Sequence, residues 1–201
     1  MKKIGILGGS FNPIHNAHLM MAYTAKKQFE LDDMWLIPAK NPPHKQSVAF
    51  SDVHRLNMLR LAIREYPGLS VHLYEYGKDG LSYTVETLRA FHLCYPDCHF
   101  FYVMGEDSLA DFKRWYHPEE IAQLADIIVA SRDFSNDSLR KLLIENRAEF
   151  GNPFLELEMD YLPISSTEIR CRVRNGEALN GLVPKSIEQY ISDNGLYKEN
   201  V

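Results

Sequence analysis

The stretch GGSFNPIHNAHL, Gly8 to Leu19, concentrates residues that do chemistry. Gly8 and Gly9 let backbone N–H groups approach an anion without side-chain obstruction, and a helix N-terminus behind them adds a positive dipole end. His15 and His18 are spaced i, i+3, so at the start of a helix they face the same side. Both imidazoles can donate hydrogen bonds to oxygens that gain charge in a transition state. The same pair could serve zinc, but no His-Glu-x-x-His, paired Cys or nearby carboxylate supplies a third ligand. One capping and one packed histidine would also fit, and this stretch alone leaves all these readings open. The glycines match neither Gly-x-Gly-x-x-Gly nor a P-loop.

A second stretch, ISSTEIR from Ile164 to Arg170, carries the matching chemistry far downstream. Ser165 with Glu168 is a capping-box pattern, so a helix begins there. The open N–H groups and the hydroxyls of Ser165, Ser166 and Thr167 suit anionic oxygens, and Arg170 offers a bidentate phosphate contact. Read alone, the motif is also an ordinary capped helix with a surface arginine. Three further sites stand out. PAKNPPHKQSVAF, Pro38 to Phe50, holds Lys40, His44 and Lys45 in the longest stretch without periodicity. Asp107 follows the apolar run FFYVMG, where it suits a ribose hydroxyl or a helix cap. Trp115 and Tyr116 offer a flat face for an aromatic ring, or simply core.

These residues need a frame. Lys3–Leu7, Met34–Ile37, Ser70–Tyr74, Phe100–Met104, Ile127–Ala130 and Phe154–Met159 read as short buried strands. Leu19–Phe29, Asp52–Glu65, Val85–Tyr95 and Pro118–Leu124 have helical periodicity between them. The alternation predicts an α/β fold: a doubly wound, Rossmann-like parallel sheet with helices on both faces. ISSTEIRCRVRNG and VPKSIEQYISDNG are two further helices, each stopped at Asn-Gly. They predict a small C-terminal helical cap over 161–201 on a sheet core over 1–160, one domain in all. In open parallel sheets ligands bind outside the carboxyl ends of the strands, which is where GGSFNPIHNAHL falls.

Composition sets the outer limits. The chain has 201 residues, 45% hydrophobic and 24% charged, enough for a sizeable core. A formal net charge of −5 without a Lys/Arg block argues against a nucleic-acid surface. Phosphate binding would then need positive charge gathered in one cleft. Cys94, Cys98 and Cys171 have no metal-ligand spacing, and a reduced, cytoplasmic setting is the simplest reading. MKKIGILGG is too short in its apolar part for a signal peptide, and no run approaches a membrane span.

Together GGSFNPIHNAHL and ISSTEIR resemble the two signatures of the His-x-x-His nucleotidyltransferase superfamily. Within it the chain is similar, end to end, to the bacterial nicotinate-nucleotide adenylyltransferases. PAKNPPHK, SYTVETL, GEDSL, RWYHPEEI and LVPKSIEQYISDNGLY match in order. The resemblance implies that Gly8, Gly9, Ser10 and Phe11 line an ATP site. It gives His15 and His18 to the ATP phosphates, with Ser165, Ser166, Thr167 and Arg170 across from them. Gly105 and Asp107 would contact adenosine. Thr84, Val85, Trp115 and Tyr116 would form a nicotinate pocket, with Lys40, His44, Lys45 and Arg132 on the rest of the acceptor. His15, His18, Lys45 and Arg170 would carry catalysis.

Four places depart from the family pattern: Asn12 for Asp, Ala17 for Gly, Glu86 for Asp, and SRDF around Arg132 for Arg-Pro-Gly. None removes a phosphate-clamping residue. The implied reaction is transfer of AMP from ATP to nicotinate mononucleotide, giving deamido-NAD and pyrophosphate in NAD biosynthesis. Mg²⁺ would travel with the ATP phosphates without dedicated protein ligands, since hard cations take oxygen donors and no carboxylate pair presents itself. Expected partners are these two nucleotides, with a homo-oligomer left open, no nucleic acid and no membrane. The rival readings are adenylyl transfer to nicotinamide mononucleotide or phosphopantetheine, a nucleotide-binding regulator without turnover, and a histidine metalloenzyme.

Overall fold

A computed structural model describes residues 1–41, 52–131 and 137–198. Its strands are β1 (Lys2–Gly9), β2 (Asp33–Pro38), β3 (Leu69–Val71), β4 (Cys98–Gly105), β5 (Asp126–Ala130) and β6 (Phe154–Leu157). They form one six-stranded sheet in the order β3-β2-β1-β4-β5-β6, and every neighbouring pair is parallel. The helices are α1 (Asn16–Gln28), α2 (Asp52–Ala62), α3 (Thr84–Cys94), α4 (Glu106–Ala110), α5 (Pro118–Leu124), α6 (Asp137–Phe150), α7 (Ser166–Asn175) and α8 (Lys185–Asp193). No helix among the described residues is long and apolar enough to cross a membrane.

The strands work because both of their faces are buried. Ile4, Ile6, Trp35, Tyr102 and Val129 point to one side, where α3, α5 and α6 cover them with Leu88, Ile121 and Leu143. Leu7, Leu36, Val103 and Ile128 point to the other, against Leu19 and Ala22 of α1 and Met58 and Leu59 of α2. The period-2 alternation thus feeds two apolar layers, and runs such as IGIL and IIVA are apolar throughout for that reason. Gly5 permits the close approach of its neighbours: a Cβ there would lie 2.4 Å from Met34 Sδ.

The C-terminal helices join the α1–α2 layer. Ile169 of α7 and Ile187 and Ile191 of α8 are buried in it. Tyr190 of α8 receives a hydrogen bond from Asn57 Nδ2 at 3.0 Å and pairs with His54 Nδ1 at 2.9 Å on α2. α7 ends as its sequence implies, with Gly176 in the left-handed region at φ 72°.

Two expectations need correction. The third strand is Leu69–Val71, not Ser70–Tyr74, because the chain turns into a 3-10 helix at Tyr74–Gly77. Glu75 and Tyr76 of that turn are drawn into buried polar contacts described below. The helix α6 was not foreseen, although Leu139, Leu143 and Asn146 bury one side of it.

Candidate active site

β1 and β4 are neighbours, yet β1 continues into α1 on one face while β4 is reached from α3 on the other. The strand order therefore reverses here, and a crevice opens beyond the strand ends. His15 is the N-cap residue of α1 with extended backbone, φ −146° and ψ 170°. Its side chain does not cap the helix; the first helical N–H, on Asn16, instead donates to Leu182 O at 2.9 Å. The His15 ring stacks on His18 at 3.6 Å between centroids, with the planes 24° apart. Phe11 meets the His18 ring edge-on at 5.1 Å.

The start of α7 forms the opposite wall, bonded directly to the first motif. Ser166 Oγ donates to Pro13 O at 2.9 Å. Arg170 Nη1 donates to Asn12 O at 2.8 Å and Nη2 to Thr167 Oγ1 at 3.1 Å. Asn12 is held on its side chain too, where Oδ1 accepts from Tyr197 OH at 2.6 Å. Only half of the expected capping box forms. Ser165 Oγ accepts from Glu168 N at 3.1 Å, but the Glu168 carboxylate turns to Arg172 Nε at 2.7 Å.

Between these walls lies a cleft of about 430 Å³. Gly9, Ser10, His15 and His18 line one side, Ser165, Ser166, Thr167 and Arg170 the other, and Gly105 and Asp107 its floor beyond β4. A second cavity of about 420 Å³ lies by the start of α3, lined by Ser82, Tyr83, Thr84, Trp115 and Tyr116. The N–H groups of Thr84 and Val85 belong to the first turn of α3 and lack intrahelical acceptors. A third, of about 310 Å³, joins the two. It shares Gly9 and Ser10 with the cleft and Ser82 and Thr84 with the aromatic cavity. Gly8 lines this middle cavity, and a Cβ on it would lie 2.7 Å from the Tyr102 hydroxyl.

A family model described as cytidylyltransferase-like matches residues 6–172. The chain belongs to the cytidylyltransferase-like family. It is 41% identical over 201 residues to a "probable nicotinate-nucleotide adenylyltransferase" of Clostridium botulinum Eklund 17B, covering 99% of this chain and 100% of that protein. A protein of the same name from Dictyoglomus thermophilum is 40% identical over 198 residues, covering 97% and 99%. The fold matches a Plasmodium falciparum nicotinic acid mononucleotide adenylyltransferase complexed with NaAD, with TM-score 0.79, 22% identity, and 100% and 99% of the two chains covered.

In this cytidylyltransferase-like chain most of the residues singled out from sequence converge. Three of the described ones do not line these three cavities. The Phe11 ring is buried and lines none of the three cavities; it supports His18 from behind. The Val85 side chain is core, leaving only its backbone for a ligand. Lys40 Nζ donates to Lys78 O at 3.2 Å. His44, Lys45 and Arg132 lie outside the described residues. Among those described, no group of three or more His, Cys, Asp or Glu could hold a metal ion.

Sequence reasoning passed over three buried charged residues beside the cavities, Arg55, Glu75 and Glu106, the last lining the cleft. Arg55 on α2 is wholly buried and donates from Nη1 to Ser10 O at 2.7 Å and to Ala39 O at 3.0 Å. Its Nη2 reaches Asp52 Oδ1 and Tyr76 OH, each at 2.6 Å. Glu75 is also buried, accepts a hydrogen bond from Thr87 Oγ, and lines the middle cavity.

Burial lowers the pKa of His15 from 6.5 to about 4, so its imidazole is neutral at physiological pH. Its Nδ1 is buried with no hydrogen-bond partner among the described residues. The stability consequence has a definite sign. Between the two values the unfolded chain binds the extra proton and the folded chain does not, so stability falls as pH drops from about 6.5 to about 4. The expected loss from this group is roughly 2 kcal/mol between about pH 7 and about pH 4.5. Urea unfolding of His15→Asn should show a correspondingly shallower acid slope. An unchanged slope would contradict the buried, neutral assignment.

Proposed function

We propose that this chain transfers AMP from MgATP to nicotinate mononucleotide, releasing pyrophosphate and forming deamido-NAD. One observation carries the reading: three cavities in sequence join a phosphate-suited cleft to an aromatic slot. A nucleotide placed at each end brings an acceptor phosphate towards the α-phosphate of the other. The full-length relatives named as nicotinate-nucleotide adenylyltransferases support the same reaction.

In this reading His15 and His18 hold ATP phosphate oxygens from one wall of the cleft. Ser165, Ser166, Thr167 and Arg170 take the phosphates from the opposite wall, and Gly105 and Asp107 meet the adenosine. Trp115 and Tyr116 face the pyridine ring, while the first N–H groups of α3 receive its carboxylate. Lys40, His44, Lys45 and Arg132 serve the acceptor phosphate. Mg²⁺ arrives with ATP, as a hard cation on phosphate oxygens.

The nucleophile is a phosphate oxygen already ionised at neutral pH, so no general base is required. Catalysis consists of in-line positioning and stabilisation of charge as pyrophosphate leaves. A slot ending in helix N–H donors should prefer a carboxylate over an amide, which would set hydrogens against those donors. The test is a chromatographic assay with Mg²⁺, ATP and each mononucleotide in turn. Deamido-NAD should form, with kcat/KM for the nicotinamide acceptor lower by about tenfold or more. No dinucleotide at high enzyme concentration would sink the reaction, and equal efficiency for both acceptors would sink the preference.

A further inference from the structure

The middle cavity has the chemistry of a sugar site rather than a phosphate site. Among the described residues its walls carry the hydroxyls of Ser10, Thr84, Thr87, Tyr102 and Ser108 together with the Glu75 carboxylate, and no Lys, Arg or His. An anion would not be placed on a buried carboxylate. Hydroxyl donors would, because an ionised carboxylate only accepts.

Glu75 is fixed and half used. It sits in the 3-10 turn at Tyr74–Gly77 and is 5% exposed. Oε1 accepts from Thr87 Oγ, whereas Oε2 is buried and accepts no hydrogen bond among the described residues. The Lys78 ammonium lies 3.7 Å from Oε2, balancing its charge while donating to Glu86 Oε2 at 3.0 Å. Glu75 nonetheless lines the cavity, and the cavity's place identifies what the carboxylate meets. On one side it shares Gly9 and Ser10 with the phosphate cleft, and on the other Ser82 and Thr84 with the aromatic slot. The acceptor's ribose follows its ring, so it falls in this cavity, ahead of the acceptor phosphate that must meet ATP at the cleft.

We infer that the Glu75 carboxylate accepts a hydrogen bond from a ribose hydroxyl of the acceptor mononucleotide, making it a specificity residue for ribonucleotide acceptors. The inference rests on the reaction proposed above. Ordering follows from the same contact: a ribose pinned at Glu75 fixes the distance from the pyridine ring to the attacking phosphate.

The experiment compares nicotinate mononucleotide with its 2′-deoxy and 3′-deoxy analogues, in the wild type and in Glu75→Gln. In the wild type at least one deoxy analogue should lose about tenfold or more in kcat/KM, the scale of a hydrogen bond to a charged group. Glu75→Gln should raise the acceptor KM about tenfold, leave the ATP KM unchanged, and shrink the deoxy discrimination to under about threefold. Two results would overturn the inference: wild-type enzyme that uses both analogues as well as the parent, or discrimination that is equal in wild type and variant. The wild-type comparison stands even where the variant folds poorly. If the wild type makes no product from the parent ribonucleotide, the proposed reaction itself has failed.

Discussion

A His18→Ala variant should lose roughly 10²–10³ in kcat, the scale for removing one donor aimed at transition-state charge. The structure gives His18 the geometry for that role. Its ring is sandwiched between the face of His15, 3.6 Å away, and the edge of Phe11, 5.1 Å away, so it cannot swing freely. It lines the cleft opposite Arg170, where a phosphate would be held from both sides. The KM for nicotinate mononucleotide should change by less than about threefold, because the proposed reaction gives the cleft that His18 lines to the nucleoside triphosphate. Two titrations settle it, one varying each substrate, with thermal unfolding of the variant measured alongside. Near-normal turnover in a folded variant would remove His18 from the phosphate clamp. Stoichiometric zinc in the wild type, lost on substitution, would establish the metalloenzyme reading in its place.

The fold was largely legible because its signals are local. Central strands buried on both sides read as unbroken apolar runs, and FFYVM and IIVA do so. Where a long-range contact decides the conformation, local reading fails. Ser70–Tyr74 has the alternation of a strand, yet it stops at Val71. What stops it is a turn whose members bind Thr87 and Arg55, neither of them a sequence neighbour. α6 is a different case. Its leucines are at helical spacing, but their signal is diluted by the charged residues between them.

The same distinction separates the site residues. His15, His18, Ser165 and Arg170 lie beside helix starts, and capping chemistry marks those places in the sequence. Their meeting across 150 positions is not written in either motif. It requires Ser166 Oγ to find Pro13 O and Arg170 to find Asn12 O. Asn12, a departure from the family pattern, finds an account here, since its side-chain oxygen anchors Tyr197 near the C-terminus. Glu75 and Arg55 carried no local signal. An arginine in the middle of an amphipathic helix reads as solvated surface, and only the convergence of separate loops buries it.

That convergence sets the second large effect. Arg55→Met should destabilise the fold by several kcal/mol and weaken both substrates together. Arg55 bonds the carbonyl of Ser10, in the loop after β1, and that of Ala39, in the loop after β2. It also bonds the Tyr76 hydroxyl, in the turn that follows β3. Burial above all pushes the Tyr76 phenol up to about 12, so it stays a neutral donor to Asp52 Oδ1 at 3.0 Å. Removing the guanidinium strands two carbonyl oxygens at a cost of about 1–3 kcal/mol each, against a total stability of about 5–15 kcal/mol. Ser10 touches both the phosphate cleft and the middle cavity, so its displacement should raise the KM of ATP and acceptor alike. Tyr76→Phe removes two hydrogen bonds, one accepted from Arg55 and one donated to Asp52, but leaves both carbonyls paired, so it should cost only about 1–2 kcal/mol. Urea unfolding and two-substrate kinetics on both variants make the comparison. If Arg55→Met unfolds within about 1 kcal/mol of wild type, or if Tyr76→Phe is equally damaging, the guanidinium is not what binds the three loops into one site.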